Sequence, residues 1–204
     1  MEPEGPPAYD EIGKHFPPEH EGLNVPVLIL VLLGRRNVGK TVTGNTILGS
    51  KKFETGVKTT RTVKKLGWVD GVRVAVVDTP GWSVFGLVSA EQVRGELLRS
   101  DMLSSFGRRT FLLVIPVDEF SSRECQAVEE NLRILGSDVW KHTMVLFSYG
   151  DELRGRSIEE HIKKSGRSLQ KILHMCDYRY HVFNNKLTDS YYQVSQLIQT
   201  VRKM

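Results

Sequence analysis

The sequence has few cysteines and no long hydrophobic run, and each absence excludes a class of protein. Its two cysteines, Cys125 and Cys176, are too few for a disulfide framework and match no metal-binding spacing. The longest apolar run, residues 25–33, has nine residues, whereas a membrane-spanning helix needs about 20. The first ten residues are acidic and contain proline, unlike a secretory signal peptide. We therefore expect a cytoplasmic protein with reduced thiols and no membrane span in this chain.

Charge is distributed unevenly along the 204 residues. Residues 1–24 hold six acids and one lysine, a net charge of −5, so the remainder carries +9 of the total of +4. The proline-rich, acidic composition of residues 1–22 predicts a disordered arm. Residues 23–204 have the length and apolar content of one globular domain. No stripe of aromatic and basic residues follows, so we expect no nucleic-acid partner.

The domain alternates apolar runs with amphipathic segments. This alternation predicts an α/β fold, with a six-stranded, mostly parallel sheet and helices on both faces. Asp70-Gly71 joins two of the strands as a hairpin, which predicts one antiparallel edge strand. The predicted strands are residues 25–33, 62–69, 72–77, 110–117, 142–147 and 180–183. The predicted helices are residues 41–48, 91–103, 122–135, 158–173 and 190–202.

A complete G-x-x-x-x-G-K-[ST] loop follows the first strand and precedes the first helix. Its glycines let the backbone wrap a polyphosphate, its lysine supplies positive charge, and its threonine supplies a magnesium ligand. The helix that starts here adds free N–H groups and a favourable dipole. The residues predicted to bind nucleotide are Gly34, Arg35, Arg36, Asn37, Val38, Gly39, Lys40, Thr41 and Val42.

Two further predicted strands are followed by segments whose side chains suit a nucleotide and its metal ion. Asp78-Thr79-Pro80-Gly81 is a D-x-x-G segment in which Asp78 can hold magnesium and the Gly81 N–H can meet the terminal phosphate. The segment Ser148, Tyr149, Gly150 and Asp151 stands where guanine-binding proteins carry N-K-x-D. The Asp151 carboxylate can accept hydrogen bonds from guanine N1 and N2, and the Tyr149 ring can cover the base. Asn184 and Asn185, after the last strand, are further candidates for base contact.

The chain as a whole resembles the immunity-associated, AIG1-type GTPases, which are related to septins and chloroplast import GTPases. Four stretches carry the resemblance, and the similarity extends from about residue 27 to residue 203. They are residues 39–49 (GKTVTGNTILG), 76–81 (VVDTPG), 112–116 (LLVIP) and 141–147 (KHTMVLF). The residues between 111 and 135 correspond to a stretch characteristic of the family.

The resemblance implies a P-loop GTPase domain over residues 23–204, with GTP or GDP and Mg²⁺ as ligands. It also implies nucleotide-dependent dimers of the chain, or pairing with related family members, across the nucleotide face. Thr60 is the expected switch threonine, with Thr59 and Thr62 as alternatives, and Thr55 is expected near the nucleotide. The implied magnesium ligands are Thr41, Thr60 and Asp78, and the implied catalytic residues are Lys40, Thr60 and Gly81.

At the positions expected to support hydrolysis, the sequence differs from small GTPases in a hydrophobic replacement that the family shares, and from some members of its own family at Glu119. Trp82 follows the D-x-x-G where small GTPases carry a glutamine that positions water. Glu119 stands where some family members are thought to supply an arginine across the dimer, and a carboxylate cannot neutralise transition-state charge there. Arg35, Arg36 and Arg61 are candidate replacements. Asn37 offers another route, because the loop also resembles that of potassium-activated GTPases, in which K⁺ does part of the arginine's work.

Two functional hypotheses from different classes therefore remain at this stage. The first is a guanine-nucleotide switch with slow or dimer-dependent GTP hydrolysis, a weak GTPase. The second is a GTP-dependent scaffold or assembly module that does not hydrolyse its nucleotide. An ATP-using P-loop kinase is a lesser alternative, since Asp78 and Asp151 favour a GTPase and no lid or acceptor base is evident.

Overall fold

The computed structural model describes residues 27–84, 90–102, 108–118, 120–186 and 190–204. The predicted arm at residues 1–22, the first residues of the predicted domain and Glu119 lie outside these ranges. Among the described residues, no helix combines the length and apolarity required to cross a membrane.

One six-stranded sheet organises the chain, in the order β2-β3-β1-β4-β5-β6. All neighbouring strands are parallel except β2 and β3, whose antiparallel pairing places β2 at one edge. The predicted sheet is therefore confirmed, including its single antiparallel edge strand. The strands are β1 (Leu28–Leu33), β2 (Val63–Val69), β3 (Val72–Asp78), β4 (Arg108–Pro116), β5 (Thr143–Ser148) and β6 (Tyr180–Val182).

Burial explains why the central strands read as continuous apolar runs. Every residue of β1 is buried, because helices cover both faces of a parallel sheet. The edge strand β2 is largely exposed and reads as a mixture of lysine and apolar residues. At the hairpin, Asp70 and Gly71 have φ values of 50° and 71°, the left-handed geometry of a tight two-residue turn.

The α-helices of the described residues divide between the two faces of the sheet. Buried residues of α1 and α6 pack on one face, and those of α2, α3, α4 and α5 pack on the other. Helices on both faces confirm the predicted layering. The helices are α1 (Lys40–Leu48), α2 (Ala90–Met102), α3 (Ser122–Arg133), α4 (Ile158–Lys164), α5 (Arg167–Met175) and α6 (Tyr191–Lys203).

The single helix predicted over residues 158–173 was wrong, because the structure breaks it into α4 and α5. Ser165 and Gly166 between them have extended backbones, with ψ values of 151° and 171°. Serine and glycine are weak helix formers that favour caps over helix interiors. The Ile162 carbonyl at the end of α4 accepts hydrogen bonds from the N–H and hydroxyl of Ser165 and from the Gln170 side chain, which stabilise the break. Two short helices thus replace one long one.

Candidate functional site

The predicted motifs meet at one edge of the sheet. The glycine-rich loop follows β1, the D-x-x-G segment begins at the end of β3, and the Ser-Tyr-Gly-Asp segment begins at the end of β5. The Asn184–Asn185 pair follows β6. Because β1, β3, β5 and β6 share one direction, their carboxyl ends lie together, where open α/β sheets bind ligands.

The backbone of the glycine-rich loop has positive φ values at three positions, which favours glycine or asparagine there. Gly34 has a φ of 152°, and a Cβ there would lie 2.7 Å from the Val114 carbonyl oxygen. Asn37 and Gly39 have φ values of 60° and 86°, and α1 begins at the next residue, Lys40. The loop therefore wraps tightly before the helix N-terminus, the arrangement that directs N–H groups at an anion.

Lys40 is a buried cation at the centre of this loop. It is 6% exposed, and its Nζ donates to the carbonyls of Gly34 (3.2 Å) and Arg35 (2.9 Å). Burial lowers its pKa to about 8; Arg35 and Arg36 contribute to the lowering, and Asp78 opposes it. An ammonium has three N–H groups. Two of them reach carbonyls here, so one remains to meet an anion.

Three side chains that carry oxygen atoms converge beside Lys40. The Thr41 hydroxyl donates to Asp78 Oδ2 at 2.8 Å, and the Thr59 hydroxyl reaches the same oxygen at 3.2 Å. Asp78 is 2% exposed, and burial raises the pKa of its carboxyl group. Its Oδ1 is buried with no hydrogen-bond partner among the described residues. A buried carboxylate oxygen beside two hydroxyls fits Mg²⁺, which prefers hard oxygen ligands.

The structure brings Thr59, rather than Thr60, to this cluster. Thr59 is half-buried and its hydroxyl also lies 3.4 Å from that of Thr41. Thr60 and Thr55 are exposed, and Val42, also predicted to bind nucleotide, is 39% exposed on the first turn of α1. The role assigned to Thr60 stays a prediction, and Thr59 is the threonine that the geometry favours.

The D-x-x-G segment packs directly on the glycine-rich loop. The Arg36 N–H donates to the Trp82 carbonyl at 3.0 Å, and Arg35 and Trp82 form an isolated parallel bridge. A Cβ on Gly81 would lie 2.7 Å from both the Arg36 nitrogen and Lys40 Nζ. Gly81 is therefore the residue that allows these two segments to touch.

Substituting Gly81 with alanine is expected to destabilise the nucleotide-free protein by about 1–3 kcal/mol, the usual cost of overpacking. The added methyl must separate the two segments at the Arg36–Trp82 hydrogen bond. Chemical denaturation measures the effect. Gly95→Ala in α2, where a Cβ would meet nothing within 4 Å, is the control and is expected to stabilise by roughly 0.5–1 kcal/mol. Equal effects of the two substitutions would contradict the packing argument.

At the other end of the site, the Ser-Tyr-Gly-Asp segment is fastened to the same loop. Buried Ser148 donates from Oγ to the Val38 carbonyl at 2.7 Å, and the Tyr149 hydroxyl donates to the Asn37 carbonyl at 3.4 Å. The Gly150 N–H donates to the carbonyl of Phe183, the residue that follows β6, at 2.9 Å. Ser148 and Tyr149 thus hold the predicted base-binding segment against the glycine-rich loop.

Asp151 presents one occupied and one free carboxylate oxygen. Lys186 Nζ donates to Oδ2 at 2.5 Å, and this hydrogen bond lowers the pKa of Asp151. Oδ1 is buried and has no partner among the described residues. Sequence reasoning missed Lys186; its position directly after Asn184 and Asn185 was the available signal.

Asn184 and Asn185, predicted to contact the base, make hydrogen bonds within the protein. Asn185 accepts from the Thr46 hydroxyl at 3.0 Å and donates to the Thr43 hydroxyl at 3.2 Å, both in α1. Asn184 exchanges two hydrogen bonds with the Gln193 side chain, at 2.9 and 3.0 Å. In this geometry they fix the loop, and their contact with a base stays a prediction.

The candidate replacements for an arginine finger differ in their surroundings. Arg35 is engaged within the chain, since its Nε donates to Glu124 Oε1 at 2.6 Å and its guanidinium lies 3.7 Å from Asp118. Arg61 is exposed, and Arg36 has a buried Nε with no partner among the described residues. Trp82 is 3% exposed and packs in the hydrophobic core, which accounts for its apolar character.

Comparison with protein families and curated relatives adds a second line of evidence. The model of the AIG1 family matches residues 28–204. Immune-associated nucleotide-binding protein 9 of Arabidopsis thaliana is 35% identical over 181 residues, which are 84% of this chain and 52% of the relative. Human GTPase IMAP family member 8 is 33% identical over 182 residues, 87% of this chain and 27% of the relative. The chain thus spans about half, or less, of the length of these relatives.

Solved structures with the same fold include components of a chloroplast translocon. Arabidopsis thaliana Toc33 in complex with GDP and Mg²⁺ superposes with a TM-score of 0.61 at 21% identity, over 87% of this chain and 83% of Toc33. A second structure was reported with the statement that dimerisation is important for the GTPase activity of atToc33 and psToc159. It superposes with a TM-score of 0.67 at 19% identity, over 88% of this chain and 83% of that chain. At these identities the likeness establishes the P-loop GTPase fold.

Proposed function

The chain belongs to the AIG1 family, and on that premise we propose that it is a guanine-nucleotide switch that binds GTP or GDP with Mg²⁺. One observation carries the proposal. A buried lysine, an oxygen cluster around Asp78 and a base-side carboxylate at Asp151 lie along one edge of the sheet, at the ends of β1, β3 and β5. These are the three chemistries that a nucleoside polyphosphate and its metal ion require.

Each part of the site has a distinct task in this proposal. Lys40 directs its remaining N–H at the outer phosphates from a desolvated position, where a charge-assisted hydrogen bond is strong. Thr41, Asp78 and Thr59 are the residues that would hold Mg²⁺, which when bound neutralises charge on the phosphate oxygens. Asp151 accepts from the base.

The same geometry suggests how the two nucleotide states would be distinguished. Thr59 lies in the connection between α1 and β2, and Gly81 lies just beyond β3. Thr59 contacts Asp78 and Gly81 lies close to Lys40, so both connections would meet the end of a phosphate chain held by these two residues. A third phosphate would engage them and a diphosphate would release them, which is the behaviour of switch segments in this fold.

We propose that hydrolysis is slow in the monomer and is completed by dimerisation through the nucleotide face. Trp82 is packed in the core and offers no acceptor oxygen to orient water, and Arg35 is held by Glu124. The importance of dimerisation for GTPase activity that is reported for atToc33 and psToc159 supports a dimer here. A GTP-dependent scaffold without hydrolysis is the alternative, and a cytoplasmic location remains a prediction.

Turnover measured against protein concentration separates the two forms of the proposal. We expect GTP turnover per molecule to rise with protein concentration, because the missing catalytic group arrives with the second subunit. Binding of labelled GTP is measured in parallel. Turnover near zero at every concentration, with GTP bound, would favour the scaffold. Equal turnover in potassium and sodium buffers would remove the potassium hypothesis for Asn37, and binding of ATP in preference to GTP would overturn the proposed function.

A further inference from the structure

The lysine that contacts Asp151 lies in a different loop from the one in which an N-K-x-D motif carries its lysine. Tyr149 occupies the lysine position of N-K-x-D, and Lys186, after β6, contacts Asp151 instead. The Lys186 side chain is 67% exposed, while that of Asp151 is 23% exposed. The cation therefore reaches a largely covered carboxylate from the solvent side.

This contact is fixed by the surrounding loop. Asn185 is tied to α1 through Thr43 and Thr46, and Asn184 is tied to α6 through Gln193. The Lys186 N–H in turn donates to the Asn184 side chain at 3.0 Å. With both asparagines anchored, the backbone that carries Lys186 is positioned before any ligand arrives.

The two carboxylate oxygens of Asp151 therefore differ in how readily they can accept a hydrogen bond from a base. Oδ1 is buried with no partner among the described residues, so it is available to an N–H donor. Oδ2 already accepts from an ammonium group, and a second donor must share it. Guanine presents two donors on this edge, N1–H and the 2-amino group, whereas hypoxanthine presents N1–H alone.

We propose that Lys186 makes this a site for 6-oxopurine nucleotides, in which Asp151 reads N1–H and the 2-amino group contributes little. Inosine nucleotides then bind nearly as well as guanine nucleotides. Adenine is still rejected, because its N1 is an acceptor that faces a carboxylate. The inference rests on the proposed nucleotide function and names the substrate class of that same site.

Charge balance favours a lysine that stays in place when the base enters. A base that covers Asp151 removes water from the carboxylate, and a buried carboxylate without a cation is costly. Lys186 approaches from the solvent side and offsets that charge. Displacing it would gain a hydrogen bond from the 2-amino group but lose the neutralising cation.

Competition binding with GDP and inosine diphosphate tests the inference on the whole chain. We expect the two dissociation constants to agree within about threefold in the wild-type protein. Lys186→Met frees Oδ2 for the 2-amino group, so we expect the preference for GDP to rise to at least about tenfold, the effect of one hydrogen bond to a charged group. Lys186→Arg keeps the cation and should retain the wild-type ratio.

Lys163→Met in α4, an exposed lysine, is the matched control for lost charge and should leave the ratio unchanged. A wild-type preference for GDP of tenfold or more, or a ratio that Lys186→Met does not alter, would overturn the inference while leaving the proposed function intact. If the wild-type protein bound neither diphosphate, the proposed function itself would fail. The wild-type ratio is decisive even if a variant does not fold.

Discussion

Replacing Lys40 with methionine is expected to weaken the binding of GTP and GDP by at least about 100-fold, which corresponds to roughly 3 kcal/mol. Lys40 is 6% exposed and its ammonium group is already anchored by two loop carbonyls, so it would meet the phosphates without the cost of ordering a free side chain. Methionine fills a similar volume but carries no charge and no donor. Isothermal titration with GDP and Mg²⁺ measures the loss.

The fold of Lys40→Met should survive, because two effects on stability oppose one another. Burial lowers the pKa of Lys40 to about 8, so the folded state binds this proton less tightly than the unfolded state and removing the charge relieves that penalty. Losing two hydrogen bonds to carbonyls acts in the other direction. We expect the free energy of unfolding to change by only about 1 kcal/mol. Lys164→Met, at an exposed position in α4, is the control, and GDP binding by Lys40→Met at wild-type strength would contradict the role of Lys40.

Replacing Asp151 with asparagine is expected to change which base is bound. The amide keeps one acceptor oxygen but places an NH₂ group opposite the donors of guanine, so GDP affinity should fall at least about 100-fold. Xanthine carries a carbonyl where guanine has its 2-amino group, and both the new amide and the ammonium group of Lys186, which no longer faces a carboxylate, can donate to it. We therefore expect the variant to bind xanthosine diphosphate more tightly than GDP, the reverse of the wild-type order.

Competition binding with both diphosphates measures this reversal. Asp138→Asn is a suitable control, because Asp138 is an exposed aspartate paired with Lys141 and precedes β5, whereas Asp151 follows the other end of that strand. It should leave both affinities unchanged. Undiminished GDP binding by Asp151→Asn would mean that this carboxylate does not read the base, and it would also remove the basis for the role of Lys186.

Local sequence patterns were sufficient to predict the features that a single strand or turn determines. The run from Leu28 to Leu33 predicted a strand buried on both faces, and the Asp70-Gly71 pair predicted the hairpin that makes β2 antiparallel. Both hold because backbone geometry and side-chain burial act over a few neighbouring residues. The pattern failed at Ser165 and Gly166, where tertiary contacts such as Gln170 with the Ile162 carbonyl support a break that helical periodicity alone does not reveal.

The sequence by itself determined the fold, because the fold depends on apolar periodicity, and it located the glycine-rich loop through residues at fixed spacing. The family came from the resemblance carried by four stretches of the sequence. Only the tertiary structure decided which threonine approaches Asp78 and which cation contacts Asp151. Thr59 is 19 residues from Asp78, and Lys186 is 35 residues from Asp151. Contacts over such separations depend on how loops from different strands are anchored to each other, and no local pattern encodes that anchoring.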